Sequence, residues 1–213
     1  MSIEEMHASL KEKKEQYDEL IGAPDFWDDN KKALEVVNIA NTIKRGSMTT
    51  HIRIATIEDI PTIRNMAAIV FPDTYKEILS PSQIDYMMEW MYSERSLHQQ
   101  MTEEGHIYYI AYHDGQPAGY LSIQQEGENT FHLQKLYVLP SHQGIHLGQL
   151  LFDQAIAAIK ERHPSPCQMR LNVNRHNKAL TFYQKMGMAK VDEGDFAIGN
   201  GYYMNDYIMG MDI

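Results

Sequence analysis

The chain reads as a mixed α+β domain: a central, mostly antiparallel sheet flanked by helices, preceded by an N-terminal helical extension. Three observations predict this. Residues 1–45 are rich in Glu, Lys, Asp and Ala and poor in β-formers. From His51 onward, strand-like alternation recurs around an Asp-Gly turn. Hairpin strands come first, and strands alternating with helices follow, which is the pattern of a mixed sheet.

The extension opens with a weak apolar stripe, Leu10, Tyr17 and Leu20, and a second one over Ala33, Val36, Val37 and Ile43. Gly22-Ala-Pro-Asp breaks the chain between them, so a helical hairpin is expected. Arg45-Gly-Ser-Met48 reads as a junction, with Met48 the start of the second piece. The division is 1–45, a junction over 46–50, and a domain over 51–213.

Within that domain Ile52-Arg-Ile-Ala alternates like a strand. Thr56-Ile-Glu-Asp is a capping box with Asp in the Glu/Gln place, opening a helix to about Ala68. Ser80-Pro-Ser-Gln is a second box with Pro at the first helical position; its helix carries Ile84, Met87, Met88 and Met91. Strands are expected over 107–112, 118–123 and 131–138, the first two joined by the His113-Asp-Gly-Gln turn. A helix from Ile145 to about Arg162 turns Leu147, Leu150, Leu151, Ala155, Ile156 and Ile159 inward. Strand 169–173, helix 178–186 and strands 189–192 and 202–211 complete the pattern.

Bulk properties exclude several classes. The 213 residues carry a formal net charge of −10. Residues 1–45 hold 7 basic and 10 acidic residues, the rest 12 and 19. A domain near −7 lacks the basic face that nucleic-acid binding needs, and would attract a cationic substrate. No apolar run approaches the roughly 20 residues that span a bilayer. A single cysteine, Cys167, rules out a disulfide framework and an all-cysteine metal site. A cytoplasmic protein is expected. His142 and His146 are four apart, but they straddle a loop–helix boundary without a third ligand, so no metal is expected.

The segment that carries chemistry is Leu136-Tyr-Val-Leu-Pro-Ser-His-Gln-Gly-Ile-His-Leu-Gly-Gln-Leu-Leu. It is a strand, a Pro-terminated turn, a glycine-containing loop and an amphipathic helix. A helix N-terminus offers unpaired N–H groups and a positive dipole end, so it binds pyrophosphate without a basic side chain. Gly144 and Gly148 allow close backbone approach. Neither a Walker loop nor a G-x-G-x-x-G fingerprint is present.

Gln143-Gly-Ile-His-Leu-Gly148 resembles the Q/R-x-x-G-x-G/A signature of GNAT acetyltransferases. Leu171-Asn-Val-Asn-Arg-His-Asn-Lys-Ala-Leu-Thr-Phe-Tyr-Gln-Lys-Met-Gly187 is similar to that family's strand, Asn-x-x-Ala and Phe-Tyr-x-Lys-x-Gly block. The resemblance runs from about His51 to the end and implies the GNAT fold with acetyl-CoA as cosubstrate. It implies that Leu136, Tyr137 and Val138 pair with the pantetheine arm. Gln143, Gly144, Ile145, His146, Leu147 and Gly148 would cradle the pyrophosphate, and Asn177 would contact the CoA side. Tyr183 matches the tyrosine that protonates the departing thiolate, and the N–H of Val138 would serve the oxyanion. Two departures stand out. His146 replaces the middle glycine, and Gln134 sits where many relatives carry a glutamate base. Glu77, Glu89 or His132, reached through water, is the alternative base.

Phe71-Pro-Asp-Thr-Tyr-Lys-Glu-Ile-Leu-Ser-Pro and Phe196-Ala-Ile-Gly-Asn-Gly-Tyr-Tyr-Met-Asn-Asp resemble stretches of bacterial spermidine/spermine-type GNAT enzymes. Asp73, Glu77, Asp85, Glu89 and Asp206 would then line an acidic, aromatic acceptor cleft for a small-molecule amine such as a polyamine. The alternative is that these carboxylates are solvated. A peptide N-terminal acetyltransferase and a non-catalytic acyl-CoA-binding module are the competing functions. Tyr202, Tyr203 and Tyr207 are read as an acceptor wall or a homodimer surface. Glu19-Leu-Ile-Gly-Ala-Pro-Asp-Phe-Trp-Asp-Asp and Lys32-Ala-Leu resemble the N-terminal region of bacterial peptide chain release factor two, about 30 residues lacking the parts that read stop codons. No translation function follows; a fused leader or a natural fusion is expected.

Overall fold

Alternating apolar residues build a seven-stranded sheet in the computed structural model, and two groups of helices cover it. The structure describes residues 3–21, Val36 and 50–213. The expected break at Gly22, all but Val36 of the second helical stripe, and the junction at Arg45 lie outside the described residues. So does most of the release-factor-like stretch. The chain divides into two compact units, Met1–Thr50 with His113–Gly115, and His51–Tyr112 with Gln116–Ile213. In the first, α1 spans Ile3–Ile21.

The sheet order is β1-β2-β3-β4-β5-β7-β6. The strands are β1 (Thr50–Ile54), β2 (Ile107–His113), β3 (Gln116–Gly127), β4 (Thr130–Val138), β5 (Gln168–Asn174), β6 (Ala189–Gly199) and β7 (Tyr202–Asp212). β3–β4, β5–β7 and β6–β7 are antiparallel, and β4–β5 is parallel. The β2–β3 turn has Asp114 at φ 50° and Gly115 at φ 76°, as the Asp-Gly signal predicts. The mixed, mostly antiparallel fold class is therefore borne out.

One face is covered by α2 (Ile60–Tyr75), α3 (Pro81–Tyr92) and α4 (Glu94–Thr102). Ile63, Val70, Phe71, Met87, Tyr92 and Leu97 pack there against Tyr108, Ile110 and Tyr120 of the sheet. The other face is covered by α5 (Leu147–Arg162) and α6 (Ala179–Lys185). Leu147, Leu151, Phe152, Ala155 and Ile159 meet Leu121, Ile123, Leu133, Met169 and Leu171. Burying each such side chain contributes about 1.5–3 kcal/mol, so both layers hold the sheet.

Several elements differ from the sequence expectation. α2 runs past Ala68 to Tyr75, carrying Pro72 inside it. The Asp59 half of the first capping box forms, with Thr56 N–H donating to Asp59 Oδ2 at 2.8 Å. The Ser80 box is only half a box. Ser80 Oγ accepts from Gln83 N–H, while the Gln83 amide donates instead to the Tyr203 carbonyl at 2.9 Å, tying α3 to β7. α4 was not expected. Its signals are present: Ser93 caps it by accepting from Ser96 N–H, and Glu94 lies in the first turn. Leu150 is 44% exposed rather than inward.

Candidate active site

The sheet is split at its centre. β4 and β5 pair only over Thr130–His132 with Gln168–Arg170. β4 then continues to Val138, still paired with β3 as far as Gly119↔Val138. β5 continues to Asn174, still paired with β7. Main-chain groups of β4 from Leu133 onward and of β5 from Leu171 onward thus face each other across an opening wedge. Gly119 allows β3 to follow β4 here. A Cβ on it would lie 2.7 Å from the Tyr137 carbonyl oxygen.

A second irregularity sits at the same place. Ser122 pairs with Lys135 and Ile123 with Leu133, so Gln134 is an extra residue, a β-bulge. The bulge changes the alternation of β4. Leu133, Leu136 and Val138 pack on the α5 side, whereas Lys135 and Tyr137 join the α2–α4 side. The Gln134 amide is occupied by Gln124 Oε1 at 2.8 Å and Glu126 Oε1 at 3.1 Å.

The wedge opens into a cleft of about 1110 Å³. Its walls include β4 from Leu133 to Val138, the loop and first turn of α5, Asn172 and Val173 of β5, α6, and the end of α2. Leu136, Tyr137, Val138, Gln143, Gly144, His146, Leu147, Gly148, Asn177 and Tyr183 all line it. Ile145 is not among the lining residues, and its side chain is 42% exposed. Glu89, Asp85 and His132 also lie off the walls, whereas Asp73 and Glu77 are on the rim. His132 is held against Glu126, with Nδ1 3.3 Å from Oε2. Asp85 and Glu89 are on the exposed face of α3, opposite buried Ile84 and Met87, so the five-carboxylate acceptor cleft does not form as a set. Asp206 is buried on β7.

The loop has the geometry of an anion cradle. Gly144 has φ 81° and His146 φ 63°, and His146 is the N-cap of α5. A left-handed non-glycine residue costs about 1–2 kcal/mol. His146 thus keeps the backbone shape that glycine would give, with an imidazole on the cleft wall. Its side chain does not cap the helix. The first intrahelical bond runs from Leu150 N–H to His146 carbonyl at 3.1 Å. The N–H groups of Leu147, Gly148 and Gln149 precede it and point out of the helix end. Gln143 ties the loop to the strand, its amide donating to the Val138 carbonyl at 3.3 Å. A Cβ at Gly148 would make only ordinary 3.6 Å contacts with the Phe182 ring, so packing within the chain does not demand this glycine.

On the α2 side, Tyr75 and Tyr183 are buried and Tyr137 is half-buried, and all three line the cleft. Burial raises the Tyr75 pKa, with Tyr137 and Asn177 pulling it back. Asn177 also caps α6, accepting from Ala179 N–H at 2.9 Å, and stands two rather than three residues before that alanine. Burial and the neighbouring Tyr75 push the Tyr183 hydroxyl above the ordinary tyrosine range, so it keeps its proton. Tyr75 was missed by sequence reasoning because α2 was expected to end before it. Tyr86 donates to the Ile198 carbonyl at 2.7 Å, and its ring lies 5.5 Å from that of Tyr202. Trp90 and Tyr203 remain about half exposed beside this contact.

A sheet split beside a helix N-terminus, with a protonated tyrosine on the cleft wall, defines an acyltransferase that works on a thioester of coenzyme A. The acetyltransferase (GNAT) domain family matches residues 76–206. The chain belongs to this family and is an acyltransferase that uses acetyl-CoA. Solved structures agree on the fold. PaiA N-acetyltransferase from Thermoplasma acidophilum, in complex with coenzyme A, is 24% identical with a TM-score of 0.65, covering 78% of this chain and 99% of that one. Ribosomal-protein-S18-alanine N-acetyltransferase from Escherichia coli is 16% identical at TM-score 0.59, covering 78% and 94%. Arabidopsis thaliana Naa50 with a bisubstrate analogue is 15% identical at 0.54, covering 76% and 97%. Among the described residues no helix is long and apolar enough to cross a membrane.

Proposed function

We propose that this acetyltransferase acts on the primary amine of a small cationic molecule, a polyamine being the class that fits best. The observation that carries the reading is the wedge: it joins an anion cradle on the α5 side to tyrosines on the α2 side, with buried Asp206 bonded to Asn172 of the cleft wall. In this reading the N–H groups of the Gly144–Gly148 segment hold the pyrophosphate of acetyl-CoA. The edge of β4 at Leu136, Tyr137 and Val138 pairs with the pantetheine arm, and Asn177 flanks it.

The amine attacks the thioester carbonyl carbon. The tetrahedral oxyanion accepts the Val138 N–H, the C–S bond breaks, and the thiolate departs. Tyr183 donates its hydroxyl hydrogen bond to that sulfur. A thiol is ordinarily more acidic than a tyrosine whose pKa burial has raised. Tyr183 therefore stabilises the thiolate by hydrogen bonding, and the proton itself comes from the positively charged nitrogen of the tetrahedral adduct, formed when the neutral amine attacks, or from solvent. Gln134 takes no proton; Glu77 is the candidate base on the rim.

Thiol release from acetyl-CoA, measured with polyamines, amino acids and short peptides, tests the reading. Turnover with polyamines alone supports it. Binding of acetyl-CoA without turnover on any amine sinks it in favour of an acyl-CoA-binding module. One observation favours a second reading, a peptide N-terminus as acceptor. Half-exposed Tyr203 and Trp90 offer a wall wider than a linear amine needs, and a peptide-selective panel result would choose it.

A further inference from the structure

Behind Asn172, on the acceptor side of the cleft, lies a carboxylate that the steps above leave unused. Asp206 lies on β7 and is 5% exposed. It is the only buried carboxylate among the described residues. Its side chain shares the α2–α4 face with Met204, two residues earlier, as strand alternation requires. Its partner on β5 is Asn174, and Asn172 lies two residues along on the same face. Asn172 lines the cleft. Its Nδ2 donates a long bond, 3.4 Å, to Asp206 Oδ2. Asp206 Oδ1 is buried and meets no donor among the described residues.

Arg175 and Tyr75 are charged or titratable groups that interact electrostatically with Asp206. Arg175 is committed to Asp195, 3.0 Å away, and its guanidinium lies 5.8 Å from the Tyr207 ring centre. Its Nε is likewise buried without a partner among the described residues. Burial raises the Asp206 pKa against the opposing pulls of Asn172 and Arg175. A buried carboxylate oxygen without a donor is uncommon and calls for an explanation. The negative charge so buried favours a cation on the cleft side of Asn172, and an ammonium group brings that charge with three hydrogens to place.

The orientation of Asn172 follows from its partner. Only the amide nitrogen can donate to a carboxylate, so Nδ2 is turned to Asp206. The amide oxygen is then directed away from Asp206, on a side chain that lines the cleft.

We propose that Asn172 and Asp206 together anchor the acceptor amine. Asn172 accepts a hydrogen bond from the amine. Asp206 is the positioning residue: it fixes the Asn172 amide and supplies the negative charge that selects a cationic acceptor. This inference rests on reading the cleft as the site of a cationic-amine acetyltransferase.

The test is steady-state kinetics of wild type, Asp206→Asn and Asn172→Val with 1,4-diaminobutane and acetyl-CoA, alongside thermal melts. In Asp206→Asn the KM for the diamine rises about tenfold or more, while the KM for acetyl-CoA stays within about twofold. Asn172→Val shows the same split, and the double variant is no worse than the poorer single one. An unchanged diamine KM in Asp206→Asn overturns the inference and leaves the acetyltransferase reading standing. So does an equal rise in both KM values, which marks general distortion. If Asp206→Asn fails to fold, a normal diamine KM in Asn172→Val overturns it. No turnover of the diamine by wild type overturns the cationic-amine reading and the anchor with it.

Discussion

Lys135 offers a measurable link between β4 and pH. Its side chain is buried, with Nζ 2.7 Å from Gln100 Oε1, and burial lowers its pKa from 10.5 to about 7. That fall corresponds to about 5 kcal/mol in favour of the neutral amine. The faces of Tyr92 and Tyr108, 5.6 and 5.4 Å away, favour the ammonium by about 1 kcal/mol each, which leaves about 3 kcal/mol. The folded pKa lies below the unfolded one. Between pH 7 and 10.5 the unfolded chain therefore holds a proton that the folded chain has released. Stability rises with pH through that window, and the full penalty is present below it. Lys135→Met keeps the aliphatic volume and leaves Gln100 Oε1 bonded by the Tyr108 hydroxyl. The variant is expected to be more stable than wild type by about 3 kcal/mol near neutrality, the gain shrinking as pH rises. Urea unfolding from about pH 6.5 to about 9.5 measures both quantities. A variant less stable than wild type at neutral pH, or a wild-type stability that is flat over this range, refutes the reasoning.

Four further outcomes follow from the same geometry. Tyr183→Phe lowers kcat on the order of 100-fold, with the acetyl-CoA KM within about twofold; unchanged turnover removes Tyr183 from the chemistry. Gly144→Ala meets no atom within 4 Å but must hold φ 81°, so it loses about 1–2 kcal/mol, and an unshifted urea midpoint would contradict this. Burial lowers the His106 pKa from 6.5 to about 4, so stability falls as pH drops through that interval. His106→Gln flattens this limb of the urea-midpoint profile, and a profile that keeps its slope assigns the loss to other groups. A chain beginning at Met48 retains the melting temperature and turnover of the full chain; a loss of either gives residues 1–47 a part in the enzyme.

The strands and the loop ahead of α5 were legible because alternation and the Gln143–Gly148 pattern are local. The Asp-Gly turn is local too, and Asp114 and Gly115 adopt the positive φ it implies. What was hidden depends on contacts distant in sequence. Pro72 suggests that a helix ends before it, yet α2 carries Pro72 and brings Tyr75 to the cleft. The Gln83 amide was expected to close its own capping box, but the Tyr203 carbonyl, 120 residues away, competes for it and wins. Ile145 sits inside the signature, yet the backbone turn between Gly144 and His146 leaves it off the cleft wall. Asp85 and Glu89 share the acidic character of Asp206, and only the packing of α3 and β7 separates exposed carboxylates from a buried one.

The extra residue at Gln134 has a consequence for how this gene can change length. Gln134 is polar and partly exposed, the kind of site where insertions and deletions are ordinarily absorbed. Here a one-codon deletion would join Leu133 directly to Lys135 and restore simple alternation along β4, with Leu136 and Val138 still packed toward Leu151 and Lys135 and Tyr137 still on the side of Tyr92. The sorting of side chains between the two faces would survive, and what would go is the bulge, with the local bend and twist it gives β4 where it parts from β5. Substitution at 134 alters two hydrogen bonds, whereas loss of the residue straightens the strand beside the cleft. The residue thus serves the shape of the strand and not the order of its faces.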